Sequence, residues 1–127
     1  RQRLADLFID TFSFNAHTTA TEALWAGLPV VTKTGQGFAA RVAGSLLNSV
    51  GLPELITKNK HDYEMLILEL ATNQSKLSKI RQRLAANLLE QPLFDTEQYI
   101  KHIEDGYQQA YKNYFEGNPP KTITVQK

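Results

Sequence analysis

The chain has 127 residues, 42% of them hydrophobic and 21% charged, with 14 basic against 13 acidic side chains. That length suits one globular domain with a substantial core, and the near balance of charge argues against a nucleic-acid surface built on bulk charge. No apolar run is long enough for a membrane span, no signal peptide is visible, and the lack of cysteine excludes disulfides and thiolate chemistry, so a cytoplasmic location is expected.

Arg1-Gln2-Arg3-Leu4 carries no initiator methionine and reads as mid-protein sequence, as in a fragment of a longer chain. Leu7-Phe8-Ile9 predicts a short buried strand. A polar loop from Asp10 to His17 follows. A helix then opens at Thr18-Thr19, carries the good helix formers and packers Ala20, Ala23, Leu24 and Ala26, and is closed by Gly27 at C′. Pro29-Val30-Val31-Thr32 starts a second apolar strand. Strand, loop, helix and strand in this order form the building block of a parallel α/β sheet.

The helix start has a chemical use. The first N–H groups of a helix have no partner inside it, and the dipole places partial positive charge there. With the hydroxyls of Thr18 and Thr19 and the imidazole of His17, the set suits a phosphate or diphosphate. Glu22, one turn on, could accept hydrogen bonds from the hydroxyls of a ribose. A second reading makes Thr18 or Thr19 only an N-cap, with Glu22 as its capping-box partner. The pattern alone leaves both open.

Gly35-Gln36-Gly37 allows a tight turn or a close approach of backbone to a ligand. Phe38 to Val50 reads as one helix, with Phe38, Val42, Leu46 and Val50 as its apolar stripe and Gly51 as its stop. Arg41 lies near the helix start, where the dipole disfavours a cation, so it should have a partner; an ion pair is favoured over a substrate contact. Pro53 to Thr57 is apolar enough for a minor third strand. Asn59 or Lys60 starts the next helix, whose stripe is Tyr63, Leu66, Ile67 and Leu70.

Asn73-Gln74-Ser75 breaks the pattern. Leu77, Ile80, Leu84 and Leu88 then mark an amphipathic helix with a solvated basic side formed by Lys76, Lys79, Arg81 and Arg83. Asp95 is the expected N-cap of the last helix. That helix carries Tyr99, Ile100, Ile103, Tyr107, Tyr111, Tyr114 and Phe115 at helical spacing, a stripe expected to pack into the core. Gly117-Asn118-Pro119-Pro120 ends it. The expected domain is residues 1–117, with 118–127 as a disordered tail. No internal repeat is visible.

The block His17-Thr18-Thr19, then Glu22, then Leu24-Trp25-Ala26-Gly27-Leu28-Pro29-Val30-Val31-Thr32 closely resembles the catalytic half of the O-linked N-acetylglucosamine transferase family. These are the TPR-bearing, SPINDLY-like glycosyltransferases. The resemblance continues through Phe38-Ala39-Ala40-Arg41-Val42-Ala43-Gly44-Ser45, Gly51-Leu52-Pro53-Glu54-Leu55-Ile56 and Pro92-Leu93-Phe94-Asp95-Thr96. It ends in the Tyr107–Gly117 helix and so covers nearly the whole chain.

The resemblance implies a Rossmann-like parallel sheet with flanking helices, part of the C-terminal lobe of a GT-B glycosyltransferase that ends in long helices. It implies an enzyme that moves N-acetylglucosamine from UDP-GlcNAc to serine or threonine hydroxyls of proteins, with inversion. His17, Thr18 and Thr19 would hold the diphosphate, Glu22 the ribose, and Arg1 is a candidate for the base pocket. The family pattern known best has aspartate where Glu22 stands, and glutamate reaches one methylene further. The sequence has no Asp-x-Asp pair, and no metal or cofactor is expected. The implied partners are a nucleotide sugar and a protein acceptor held by parts outside this chain, with no nucleic acid and no membrane. A lysine on the diphosphate and the TPR array would also lie outside it, so the piece alone should be inactive. The alternatives are a noncatalytic nucleotide-binding or scaffolding domain, or a GT-B enzyme using another nucleotide sugar.

Overall fold

The computed structural model describes residues 2–125, the side chain of Arg3 excepted, and the candidate Arg1 lies outside the described residues. Three parallel strands are ordered β1-β2-β3: β1 is Phe8–Ile9, β2 is Val30–Lys33 and β3 is Ile56–Thr57. Phe8 pairs with Val30 and Ile9 with Val31; Thr32 pairs with Ile56 and Lys33 with Thr57. The crossover between β1 and β2 contains helix α1, Thr18–Trp25. The crossover between β2 and β3 contains α2, Val42–Ser49. Then follow α3, Lys60–Thr72, α4, Gln74–Glu90, and α5, Thr96–Phe115. The chain divides into two compact units, one running to Leu93 and one from Phe94.

β2 is the middle strand and is buried from Val30 to Thr32, and α1, α2 and α3 all contact it. Val30, Val31 and Thr32 are completely buried. The core continues through Ala23, Leu24, Leu47, Leu55, Leu70 and Leu84. Several predicted boundaries hold for local reasons. Gly27 ends α1 with φ of 80°, a left-handed conformation that glycine adopts without strain. The side chain of Asn59 accepts the amide of Asp62 at 2.9 Å to start α3, and that of Asn73 accepts the amide of Lys76 at 3.0 Å to start α4. Asp95 caps α5 through the amide of Gln98 at 2.9 Å. The basic side of α4 is partly paired, Lys76 with Glu69, Arg81 with Asp6 and Arg83 with Glu54.

Other expectations fail. Strand β1 is not buried: Ile9 is 56% exposed, because β1 pairs on one side only and lies at a sheet edge. The expected helix from Phe38 to Val50 is broken at Arg41 into a 3₁₀ turn, Phe38–Ala40, and α2. A 3₁₀ turn has three residues per turn, so it shifts the phase of the stripe. The buried positions are Ala40, Ala43, Gly44, Leu47 and Val50, while Phe38 is exposed and Val42 and Leu46 only half-buried. Small residues face the sheet there; a β-carbon on Gly44 would already meet Ile56 Cγ2 at 3.7 Å. The exposed Arg41 takes no ion pair among the described residues, contrary to expectation. Pro53–Leu55 forms a 3₁₀ turn with proline at its start, which leaves only Ile56–Thr57 as strand.

The aromatic stripe of α5 is likewise not core. No residue of α5 is buried, and Tyr107, Tyr111, Tyr114 and Phe115 are exposed. The helix has one apolar stripe, and its own unit contains no second helix or strand among the described residues to cover it. Residues 118–125 have no regular structure, but the Asn113 side chain donates to the Pro119 carbonyl at 3.1 Å, and a β-carbon on Gly106 would meet Val125 at 3.6 Å.

Gly51 ends α2 with φ of 73°, and a β-carbon there would come within 2.7 Å of Asn87 Nδ2. That nitrogen already donates to the Val50 carbonyl at 2.8 Å, an orphan acceptor at the end of α2. A β-carbon on Gly27 would meet nothing within 4 Å. Gly27→Ala should therefore cost about 1 kcal/mol, the left-handed backbone term alone. Gly51→Ala should cost about 2 kcal/mol, because the capping bond is lost as well. Urea unfolding of the two variants measures both, and equal losses would contradict the Asn87 contact.

Candidate functional site

The loop from Asp10 to His17 leaves the carboxyl end of β1 and delivers the chain to α1. Its shape is set by hydrogen bonds. The Asp10 side chain, 4% exposed, accepts the Ala16 amide on Oδ1 at 2.7 Å and the Thr32 hydroxyl on Oδ2 at 2.6 Å. The Asp10 carbonyl accepts the Tyr63 hydroxyl from α3 at 2.5 Å. Asn15, 1% exposed, donates from Nδ2 to the Thr11 carbonyl at 2.8 Å. Its own amide donates to the Ala39 carbonyl at 2.9 Å, tying the loop to the 3₁₀ turn. Asn15 Oδ1 is buried and has no donor.

This loop presents the start of α1 openly. His17 is the N-cap residue, and its side chain makes no capping bond. The first amide of the helical ladder is that of Thr21, which donates to the His17 carbonyl at 3.1 Å. The amides of Thr18, Thr19 and Ala20 therefore precede the ladder and have no intrahelical acceptor. Thr18 and Thr19 are exposed and lie inside the helix, so neither is the N-cap. The capping-box reading fails with it, since Glu22 lies five residues beyond the N-cap rather than three.

His17, Thr18 and Thr19 share a cleft of about 430 Å³ that is also lined by Asp10, Asn15 and Phe14. It lies at the carboxyl end of β1, where open parallel sheets bind ligands. His17 Nε2 lies 3.3 Å from the Ala39 carbonyl. A carbonyl only accepts, so Nε2 carries its hydrogen and Nδ1 is left for another partner. The ring stacks on Phe14 at 4.7 Å and meets Phe38 edge-on at 6.3 Å. Phe14 and Phe38, both mostly exposed, thus make an aromatic lip beside the helix start.

The structure brings together three of the expected site residues, His17, Thr18 and Thr19. Glu22 is exposed and outside the cleft lining, on the helical face it shares with Thr18 and Thr19. Arg1 lies outside the described residues. Asp10 and Asn15, which line the cleft, and Thr32 and Tyr63, which bond to Asp10, are not among the expected site residues. A signal existed for two of them: an acidic residue directly after an apolar strand, and a tyrosine on an apolar stripe whose hydroxyl needs a partner.

Comparison with known proteins bears on the same residues. The family model for glycosyl transferase family 41 matches residues 1–103. A probable UDP-N-acetylglucosamine–peptide N-acetylglucosaminyltransferase, SEC, of Arabidopsis thaliana is 38% identical over 126 residues, covering 98% of this chain and 13% of the relative. The UDP-N-acetylglucosamine–peptide N-acetylglucosaminyltransferase of Caenorhabditis elegans is 37% identical over 124 residues, covering 98% of this chain and 11% of the relative. A solved structure of a mutant O-GlcNAc transferase of Thermobaculum terrenum superposes with a TM-score of 0.77 at 34% identity, covering 82% of this chain and 20% of that one. The chain thus spans about an eighth of the length of the curated relatives it matches.

The Tyr63 hydroxyl gives the loop a pH limit. Burial, and then the charge of Asp10, raise the Tyr63 pKa above its ordinary value of 10.0. The folded state holds this proton more tightly than the unfolded state, so its contribution is complete below the ordinary pKa and is lost as pH rises through the raised one. Urea unfolding between about pH 8 and pH 11 should show a steeper alkaline loss of stability in the wild type than in Tyr63→Phe. Parallel curves would contradict this assignment.

Proposed function

We propose a function from one premise: the chain belongs to glycosyl transferase family 41. It is the donor-binding part of a protein O-glycosyltransferase that moves N-acetylglucosamine from UDP-GlcNAc to serine or threonine hydroxyls, inverting at the anomeric carbon. The observation that carries this reading is the uncapped start of α1, opening into the cleft at the carboxyl end of β1.

The leaving group explains why such a site is needed. UDP departs with negative charge developing on its β-phosphate, and fixed donors aimed at that charge lower the barrier. The amides of Thr18, Thr19 and Ala20 and the two threonine hydroxyls are such donors, and the His17 ring stands beside them at the diphosphate. They are held in place before the reaction, so little reorganisation is required. Glu22 accepts the ribose hydroxyls from the same helical face, and Arg1, outside the described residues, is the candidate for the base pocket. The diphosphate contacts require no metal.

The protein acceptor and the groups that receive its proton belong to the remaining length of the family's chains. The domain reading extends this donor lobe over residues 1–117. Among the described residues no helix is long and apolar enough to cross a membrane. A cytoplasmic location fits a chain without cysteine.

Calorimetric titration of the whole protein with UDP tests the site. His17→Ala should weaken UDP about tenfold, or 1.4 kcal/mol. Glu22→Ala should weaken UDP by a similar factor, about tenfold, and weaken the 2′-deoxy analogue, which keeps only the 3′-hydroxyl, by less. UDP affinity unaltered in both variants would refute the donor-site reading.

A further inference from the structure

We propose that Asp10, Thr32 and Tyr63 act as positioning residues for the diphosphate: a buried hydrogen-bonded relay that fixes the start of α1 relative to the sheet. The inference rests on reading the cleft as the diphosphate site.

Asp10 is a buried carboxylate without an ion-pair partner among the described residues. Such a group is expensive to bury unless its oxygens are hydrogen-bonded. Here both are, and each bond runs in a different direction. Oδ2 takes the hydroxyl of Thr32 in the middle strand at 2.6 Å. The carbonyl of Thr32 in turn takes the Thr57 hydroxyl of β3 at 3.0 Å. The Asp10 carbonyl takes the Tyr63 hydroxyl of α3 at 2.5 Å. Two further strands and one helix therefore converge on the residue that follows β1. Its remaining oxygen, Oδ1, reaches forward to the amide of Ala16, two residues before the helix.

Two consequences follow for the anion. The bond to Ala16 fixes where the loop turns, and so where the free amides of Thr18, Thr19 and Ala20 point. Asp10 also lines the cleft. Its negative charge repels a phosphate and leaves the helix start as the favourable position.

The test uses the whole protein, titrated calorimetrically with UDP and with uridine, which shares the base and ribose but lacks phosphate. Thr32→Val removes the hydroxyl from Asp10 at nearly constant volume. Thr32→Ser keeps it. Tyr63→Phe removes the bond to the Asp10 carbonyl. The relay predicts that Thr32→Val and Tyr63→Phe weaken UDP by about three- to tenfold while uridine affinity holds, because each removes one hydrogen bond's worth of positioning. Thr32→Ser should bind UDP like the wild type. Parallel weakening of UDP and uridine would mean a general loss of structure and would overturn the relay, as would unchanged UDP affinity in the folded variants. His17→Ala separates this from the underlying reading. If His17→Ala weakens UDP while Thr32→Val and Tyr63→Phe do not, the relay alone is wrong. If His17→Ala has no effect either, the diphosphate site is wrong and the relay falls with it.

Discussion

A buried carboxylate holds the first half of this fold together. Asp10 accepts one hydrogen bond from the middle strand and one from the loop ahead of α1, and its carbonyl accepts a third from α3. Removing any partner would leave a buried acceptor exposed to the full cost of desolvation. Asn15 adds bonds to the Thr11 and Ala39 carbonyls, and Phe12 packs edge-on against Tyr63 at 5.0 Å. The outer residues Thr11, Ser13 and Phe14 are exposed. The polar bonds are directional, as hydrophobic packing is not, so they set the course of the loop.

From that constraint the chemistry follows. A helix start is attractive to anions only if its amides are free and face an open space. Many helices spend these donors on a capping side chain. Here the N-cap residue is His17, whose ring turns to the Ala39 carbonyl and the Phe14 face instead of capping the helix. The donors of α1 remain unspent at the mouth of the cleft. The same histidine joins the loop to the 3₁₀ turn after β2, so the two segments that follow strands β1 and β2 are locked to each other.

Much of this was legible in the sequence where local chemistry decides the outcome. Gly27 and Gly51 mark helix ends because only the left-handed conformation closes them. Asn59 and Asp95 announce helix starts by residue type alone. His17, Thr18 and Thr19 were legible as a group because adjacent positions at a helix start must share one mouth. What was not legible depends on distant partners. The stripe through Phe38 and Leu46 follows perfect helical spacing, yet a 3₁₀ turn before Arg41 rotates the helix so that Ala43, Gly44 and Leu47 face inward. The aromatic residues of α5 have the spacing of a core helix, and periodicity cannot say whether anything covers them. The role of Asp10 depends on Thr32 and Tyr63, 22 and 53 residues away, and no local pattern contains such pairs.

The central claim is that the start of α1 holds the diphosphate. A crystal structure of the whole protein with UDP tests it most directly. The account predicts β-phosphate oxygens within hydrogen-bond distance, about 2.7–3.2 Å, of the amide nitrogens of Thr19 and Ala20, with the His17 ring alongside. A diphosphate bound elsewhere, with those amides facing solvent, would contradict it.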